Sequence, residues 1–121
     1  SSDLTDSYNA NAEGFGLSKR TMSWLWSLYL NGNADYENSY AVPLNGKDFA
    51  KLPPTLIITA EHDVLRDDGA RYAEKLKQAN IRVVHIDYPG MIHGFFNCGK
   101  FIDDGISARL VIAENIKELI G

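Results

Sequence analysis

Thr55-Leu56-Ile57-Ile58-Thr59-Ala60 is a short run, apolar on both alternating faces, that follows directly on Pro53-Pro54. The prolines forbid a helix through this point, and a strand apolar on both faces belongs in a parallel sheet covered on each side. Beyond it, Asp67 or Asp68 can cap a helix over roughly 68–79, whose inward side carries Ala70, Ala73, Leu76 and Ala79, and Asn80 suits a left-handed terminator. Arg82-Val83-Val84-His85-Ile86-Asp87-Tyr88 then reads as a second strand, ended by Pro89-Gly90. Strand, helix and strand in succession form a β-α-β unit over 55–88, with parallel strands and a right-handed crossover. The fold class is therefore α/β.

Outward from this unit the pattern is simpler. Residues 1–17 are rich in Ser, Asn, Asp and Gly without a sustained apolar period and read as a loop. Ser18 is a good N-cap for a helix over 18–30, in which Met22, Leu25, Trp26, Tyr29 and Leu30 make one broad apolar stripe, stopped by Asn31-Gly32. Residues 33–54 are irregular, with Pro43 and the later proline pair breaking any helix. A last helix over 105–120 buries Ile112, Ile116, Leu119 and Ile120. No repeat and no linker divides the 121 residues, which read as a segment of one domain.

Composition excludes several functional classes. A net charge of -4, with Lys and Arg scattered in ones and twos, gives no basic patch for nucleic acid. No uninterrupted apolar run approaches a membrane span, and the polar start Ser1-Ser2-Asp3-Leu4-Thr5-Asp6 is unlike a signal peptide. The single cysteine, Cys98, rules out an internal disulfide and favours a reducing, cytoplasmic compartment.

The chemistry sits at one edge of the expected sheet. Segments 61–67 and 89–97 leave the C-terminal ends of two strands expected about 4.8 Å apart, so both loops emerge side by side where open α/β sheets place their sites. Asp63 lies on one loop and His93 on the other. A carboxylate that accepts the Nδ1–H of an imidazole fixes its tautomer, stabilises the imidazolium and leaves Nε2 free to take a proton from a nucleophile. Gly94, without a Cβ, lets the histidine loop approach closely.

Leu52-Pro53-Pro54-Thr55-Leu56-Ile57-Ile58-Thr59-Ala60-Glu61-His62-Asp63-Val64-Leu65-Arg66-Asp67-Asp68-Gly69 closely resembles the acid-bearing segment of the hormone-sensitive-lipase-like carboxylesterases. Tyr88-Pro89-Gly90-Met91-Ile92-His93-Gly94-Phe95-Phe96 is similar to the segment carrying their catalytic histidine, and Trp24-Leu25-Trp26 and Ala41-Val42-Pro43-Leu44 also have that family's look. The resemblance implies the C-terminal part of an α/β-hydrolase fold, with an incomplete sheet. It makes Asp63 the acid and His93 the base of a serine triad acting on small to medium uncharged esters without a cofactor. The resembling esterases use the helix matching Met22, Leu25 and Trp26 to line the acyl or alcohol pocket, though plain packing explains that stripe equally well. Val64 departs from a common proline. The larger departure is that no serine here has glycine at both i-2 and i+2, and no HGGG-type loop occurs. In this fold the serine precedes the acid, so the resemblance implies an N-terminal portion that carries it.

Blander readings stand beside these. Asp63 and His93 can each be ordinary loop residues, Asp67 and Asp68 are helix caps, and His62 and His85 are structural. A metal site from His62, Asp63 and His93 lacks ligands spaced on one rigid element, so none is expected. Cys98 has no neighbour placed to activate it. Phe95 and Phe96 read as packing beneath the histidine loop. As a whole, the chain can also be a non-catalytic interaction module that keeps the hydrolase fold, or an unrelated doubly wound binding domain.

Overall fold

The structure, a computed structural model, describes residues 5–120, the side chains of 33, 34, 119 and 120 excepted. At its centre β1 (Thr55–His62) and β2 (Val83–Ile92) pair in parallel, from Thr55 opposite Val83 to Ala60 opposite Tyr88, with α4 (Arg66–Gln78) connecting them. The α/β class and the β-α-β unit follow from the sequence as expected. Before this unit come α1 (Asp6–Ala10), α2 (Lys19–Tyr29), α3 (Asn33–Glu37) and a 3-10 turn at Pro43–Asn45. After it come a 3-10 turn at Phe95–Cys98 and α5 (Asp103–Ile120).

Helices cover both faces of the two-stranded sheet. On one face Ala60, Tyr88, Phe95 and Ala108 form a buried cluster, joined by Ile58, Ile86 and Met91. On the other, α4 approaches so closely that a Cβ on Gly69 would stand 2.6 Å from the Thr59 methyl. Ala73 and Leu76 are the buried residues of α4, while Ala70 and Ala79 are half-buried. Asn80 takes φ +60°, and Asn80 and Ile81 donate to the carbonyls of Lys77 and Leu76, the paired bonds of a Schellman ending. Residues 55–58 of β1 are only half-buried, because in a two-stranded sheet each strand keeps one open edge.

Several local expectations are corrected. First, β2 does not stop at Tyr88. The register steps from Ala60–Tyr88 to His62–Ile92, so β2 carries two extra residues in a bulge that holds Pro89 and Gly90. A proline costs no ladder bond where the ladder is interrupted, and the Gly90 N–H donates instead to Glu61 Oε2 at 2.7 Å. Second, neither Asp67 nor Asp68 caps α4: Leu65 occupies the cap without a side-chain bond, and both aspartates lie in the first turn, where their charge suits the helix dipole.

Third, residues 6–10 form a helix within the stretch expected to be a loop. Thr5 caps it by accepting the Tyr8 N–H, and Tyr8 is fully buried. Fourth, the apolar stripe of α2 is not a core face. Ser18 caps the helix as expected, through Thr21 N–H at 3.1 Å, but no residue of α2 is buried and Leu25 is 41% exposed. In α5, which begins two residues earlier than expected, Ile112 is half-buried and Ile116 is exposed. The tight contact lies two turns earlier, where a Cβ on Gly105 would meet the Phe95 carbonyl at 2.9 Å. The expected burial of Leu119 and Ile120 falls on side chains that the structure does not describe. No helix among those described is long and apolar enough to cross a membrane.

Candidate active site

Asp63 is the first residue after β1 and His93 the first after β2, so parallel pairing delivers both to one edge of the sheet. Their side chains meet: His93 Nδ1 and Asp63 Oδ2 are 2.7 Å apart across thirty positions of sequence. The second carboxylate oxygen, Oδ1, accepts the Leu65 N–H at 2.9 Å, a local turn that holds the rotamer. The carboxylate is sheltered, at 11% side-chain exposure, whereas the imidazole is 46% exposed. With Nδ1–H donated to the carboxylate, Nε2 is the nitrogen left to exchange a proton.

The histidine loop is fixed from below. Gly94 sits at φ +78°, a left-handed conformation that turns the chain immediately after His93, and its carbonyl accepts the Asn97 N–H. Phe95 is buried against Tyr88, with ring centroids 5.0 Å apart. Phe96 does not share that role. It is exposed, with the Arg109 guanidinium 5.2 Å over its ring. Beside the pair lies an open cavity of about 480 Å³ with Ile58, Ala60, Leu65, Phe95 and Ile112 among its walls.

The remaining candidates fall elsewhere. Met22, Leu25 and Trp26, with Tyr29, line a separate hollow of about 180 Å³ that shares no wall residue with the cavity at His93. His62 stacks on Phe15 at 4.6 Å. His85 lies on the α4 side of the sheet, where the Thr59 hydroxyl donates to Asp87 Oδ1 at 2.6 Å and therefore accepts from His85 Nε2 at 3.0 Å. Arg66 Nε completes this group on Asp87 Oδ2. Cys98 is half-buried, with Sγ 3.9 Å from the Gly94 carbonyl. Among the described residues no three His, Cys, Asp or Glu side chains gather as a metal site.

Sequence reasoning missed two residues at the acid turn. Asn11 Nδ2 donates to the carbonyls of Asp63 at 3.2 Å and Glu61 at 3.4 Å, and Ser7 Oγ donates to the Val64 carbonyl at 2.8 Å. The Ser7 N–H also reaches Asp67 Oδ2 at 2.9 Å, while the Asp67 N–H returns to Ser7 Oγ. The available signal was faint: two small polar residues at i and i+4, just after a threonine able to cap one helical turn.

Comparison with known proteins agrees with this architecture. The family model for the alpha/beta hydrolase fold matches residues 1–97. The chain belongs to the α/β-hydrolase-fold family, in its hormone-sensitive-lipase-like branch. It is 37% identical over 111 residues to the vegetative-specific protein H5 of Dictyostelium discoideum, covering 88% of this chain and 32% of that protein. It is 30% identical over 105 residues to an ethyl acetate hydrolase of Pseudomonas putida, covering 87% of this chain and 33% of that one. Among solved structures, the thermophilic carboxylesterase EstE1 from a metagenomic library superposes with a TM-score of 0.89 at 34% identity, over 97% of this chain and 40% of that one. The chain spans about a third of the length of the curated relatives it matches.

Proposed function

We propose that this chain supplies the acid and the base of a serine carboxylesterase, with Asp63 orienting and His93 transferring protons. The observation that carries the reading is the 2.7 Å contact between Asp63 Oδ2 and His93 Nδ1, made by a sheltered carboxylate and a half-exposed imidazole. The nucleophilic serine and the oxyanion donors come from polypeptide outside these 121 residues, since none of its serines lies in a G-x-S-x-G elbow.

In this mechanism Nε2 of His93 takes the serine proton as the serine oxygen attacks the ester carbonyl. The Asp63 carboxylate stabilises the imidazolium formed. Collapse of the tetrahedral intermediate breaks the bond to the alcohol oxygen, which leaves with the proton from Nε2, and an acyl-enzyme remains. A water deprotonated by the same nitrogen then releases the acid and regenerates the serine. Asp63 keeps its negative charge throughout. The esters are small to medium and uncharged, which the naming of one relative as an ethyl acetate hydrolase supports. Met22, Leu25 and Trp26 are proposed to wall the acyl or alcohol pocket, because their exposed apolar hollow suits an uncharged chain.

The test is hydrolysis of p-nitrophenyl esters by residues 1–121 joined to the serine-bearing portion, with and without His93→Ala. Loss of turnover in the variant is expected, and full activity would overturn the assignment.

A further inference from the structure

Residues 5–16 form a brace around the acid turn, and its contacts recur every four positions. Ser7 ties to Val64 and Asp67, Asn11 to Glu61 and Asp63, and the Phe15 ring stacks on His62 at 4.6 Å. Ser7 and Asn11 are 4% and 5% exposed, and their bonds to the Val64 and Asp63 carbonyls are made away from water, where a lost partner is costly. The brace also nears the other half of the site, since a Cβ on Gly16 would stand 4.0 Å from Ile92, the residue before His93.

The Asn11 amide has a particular role. Its two donors straddle His62 by holding the carbonyls on either side of it, at 61 and 63. The Asp63 carbonyl also accepts the Arg66 N–H, and Asp63 Oδ1 accepts the Leu65 N–H. The aspartate is thus fixed at its backbone by Asn11 and at its carboxylate by the turn that Ser7 closes, which leaves Oδ2 one direction in which to point. We propose that Asn11 and Ser7 are positioning residues for Asp63, setting the aim of Oδ2 at His93 Nδ1. This inference rests on the esterase reading given above.

The test uses the assembled esterase, residues 1–121 with the serine-bearing portion, carrying Asn11→Asp, Ser7→Ala, Ser7→Thr or Asp63→Asn. Asn11→Asp keeps the size but removes the donor and sets a carboxylate against two carbonyls. Displacement of a reacting group by about 1 Å is worth on the order of a hundredfold in rate. Asn11→Asp and Ser7→Ala are therefore expected to lower kcat about 10- to 100-fold with KM nearly unchanged, and to shift or broaden the downfield proton resonance of His93 Nδ1–H. Ser7→Thr, which keeps the hydroxyl, restores both. A merely structural brace would lower the melting temperature while leaving kcat per folded molecule and the resonance intact, and that result overturns the proposal. If Asp63→Asn abolishes turnover while the Asn11 and Ser7 variants match the parent, the positioning role alone fails. If Asp63→Asn is fully active, the esterase reading falls and takes this inference with it.

Discussion

Asp63 and His93 each occupy the first position after a parallel strand, yet their side chains meet at 2.7 Å only because β2 runs two residues longer than its partner past Ala60. The bulge at Pro89 and Gly90 takes up that length. Substituting Asp63→Asn should expose how much the site depends on the contact. An amide can donate to Nδ1 and so stabilise the wrong tautomer, with Nε2 protonated. Turnover of the assembled esterase is expected to fall by about a thousandfold to ten-thousandfold, with KM little changed. Steady-state kinetics on p-nitrophenyl acetate checks this.

Gly105→Ala should destabilise the fold. The added methyl would stand 2.9 Å from the Phe95 carbonyl and 3.0 Å from the backbone of Gly99, and backbone atoms cannot rotate aside. Overpacking of this kind costs about 1–3 kcal/mol, against about 1 kcal/mol gained from the better helix former. A lower denaturation midpoint is expected, and an unchanged or raised midpoint counts against the packing described here.

Thr59→Val probes the polar group on the opposite face. The hydroxyl bridges His85 and Asp87, so an isosteric methyl leaves both without that partner. Asp87 is partly exposed and water replaces some of the lost bond, so the expected loss is about 1 kcal/mol. Chemical denaturation measures it. Ester turnover by the folded fraction should stay near that of the parent, because the Thr59 hydroxyl bonds to His85 and Asp87 and to neither Asp63 nor His93.

Residues 1–121 alone should self-associate. Their accessible surface of 8057 Å² exceeds the about 6,500 Å² expected of a compact monomer of 13.5 kDa. Large apolar side chains contribute to it, including Trp24, Leu28, Phe101 and Leu110, each more than half exposed. Among the described residues each strand also keeps one unpaired edge, which templates association. Light scattering and binding of an apolar dye, each reduced on adding the serine-bearing portion, are the expected readings. A cooperatively melting monomer would contradict them.

The centre of the fold was legible because its signals are strong and local: an apolar run bounded by prolines, a helical period ended by Asn80, and a second apolar run. The Asp63–His93 pair was legible because parallel strands send both loops to one edge. What the sequence hid depends on distant partners. One turn of helix at 6–10 has no period to detect, and its role emerges only when Ser7 and Asn11 meet residues more than fifty positions away. Pro89 looked like a strand end because a bulge cannot be seen from one strand. Asp67 looked like a cap, but the cap fell at Leu65 and the Asp67 carboxylate went to Ser7. The stripe on α2 has the pattern of a buried face, yet the helix buries none of its residues, and pattern alone does not name a partner.

The most direct measurement is the ¹⁵N spectrum of the His93 ring in the assembled esterase, recorded with Asp63 intact and with Asp63→Asn. A proton resident on Nδ1 in the parent, moving to Nε2 in the variant, is the predicted outcome. A ring protonated on Nε2 in the parent, or one indifferent to the substitution, would mean that the carboxylate does not set the base.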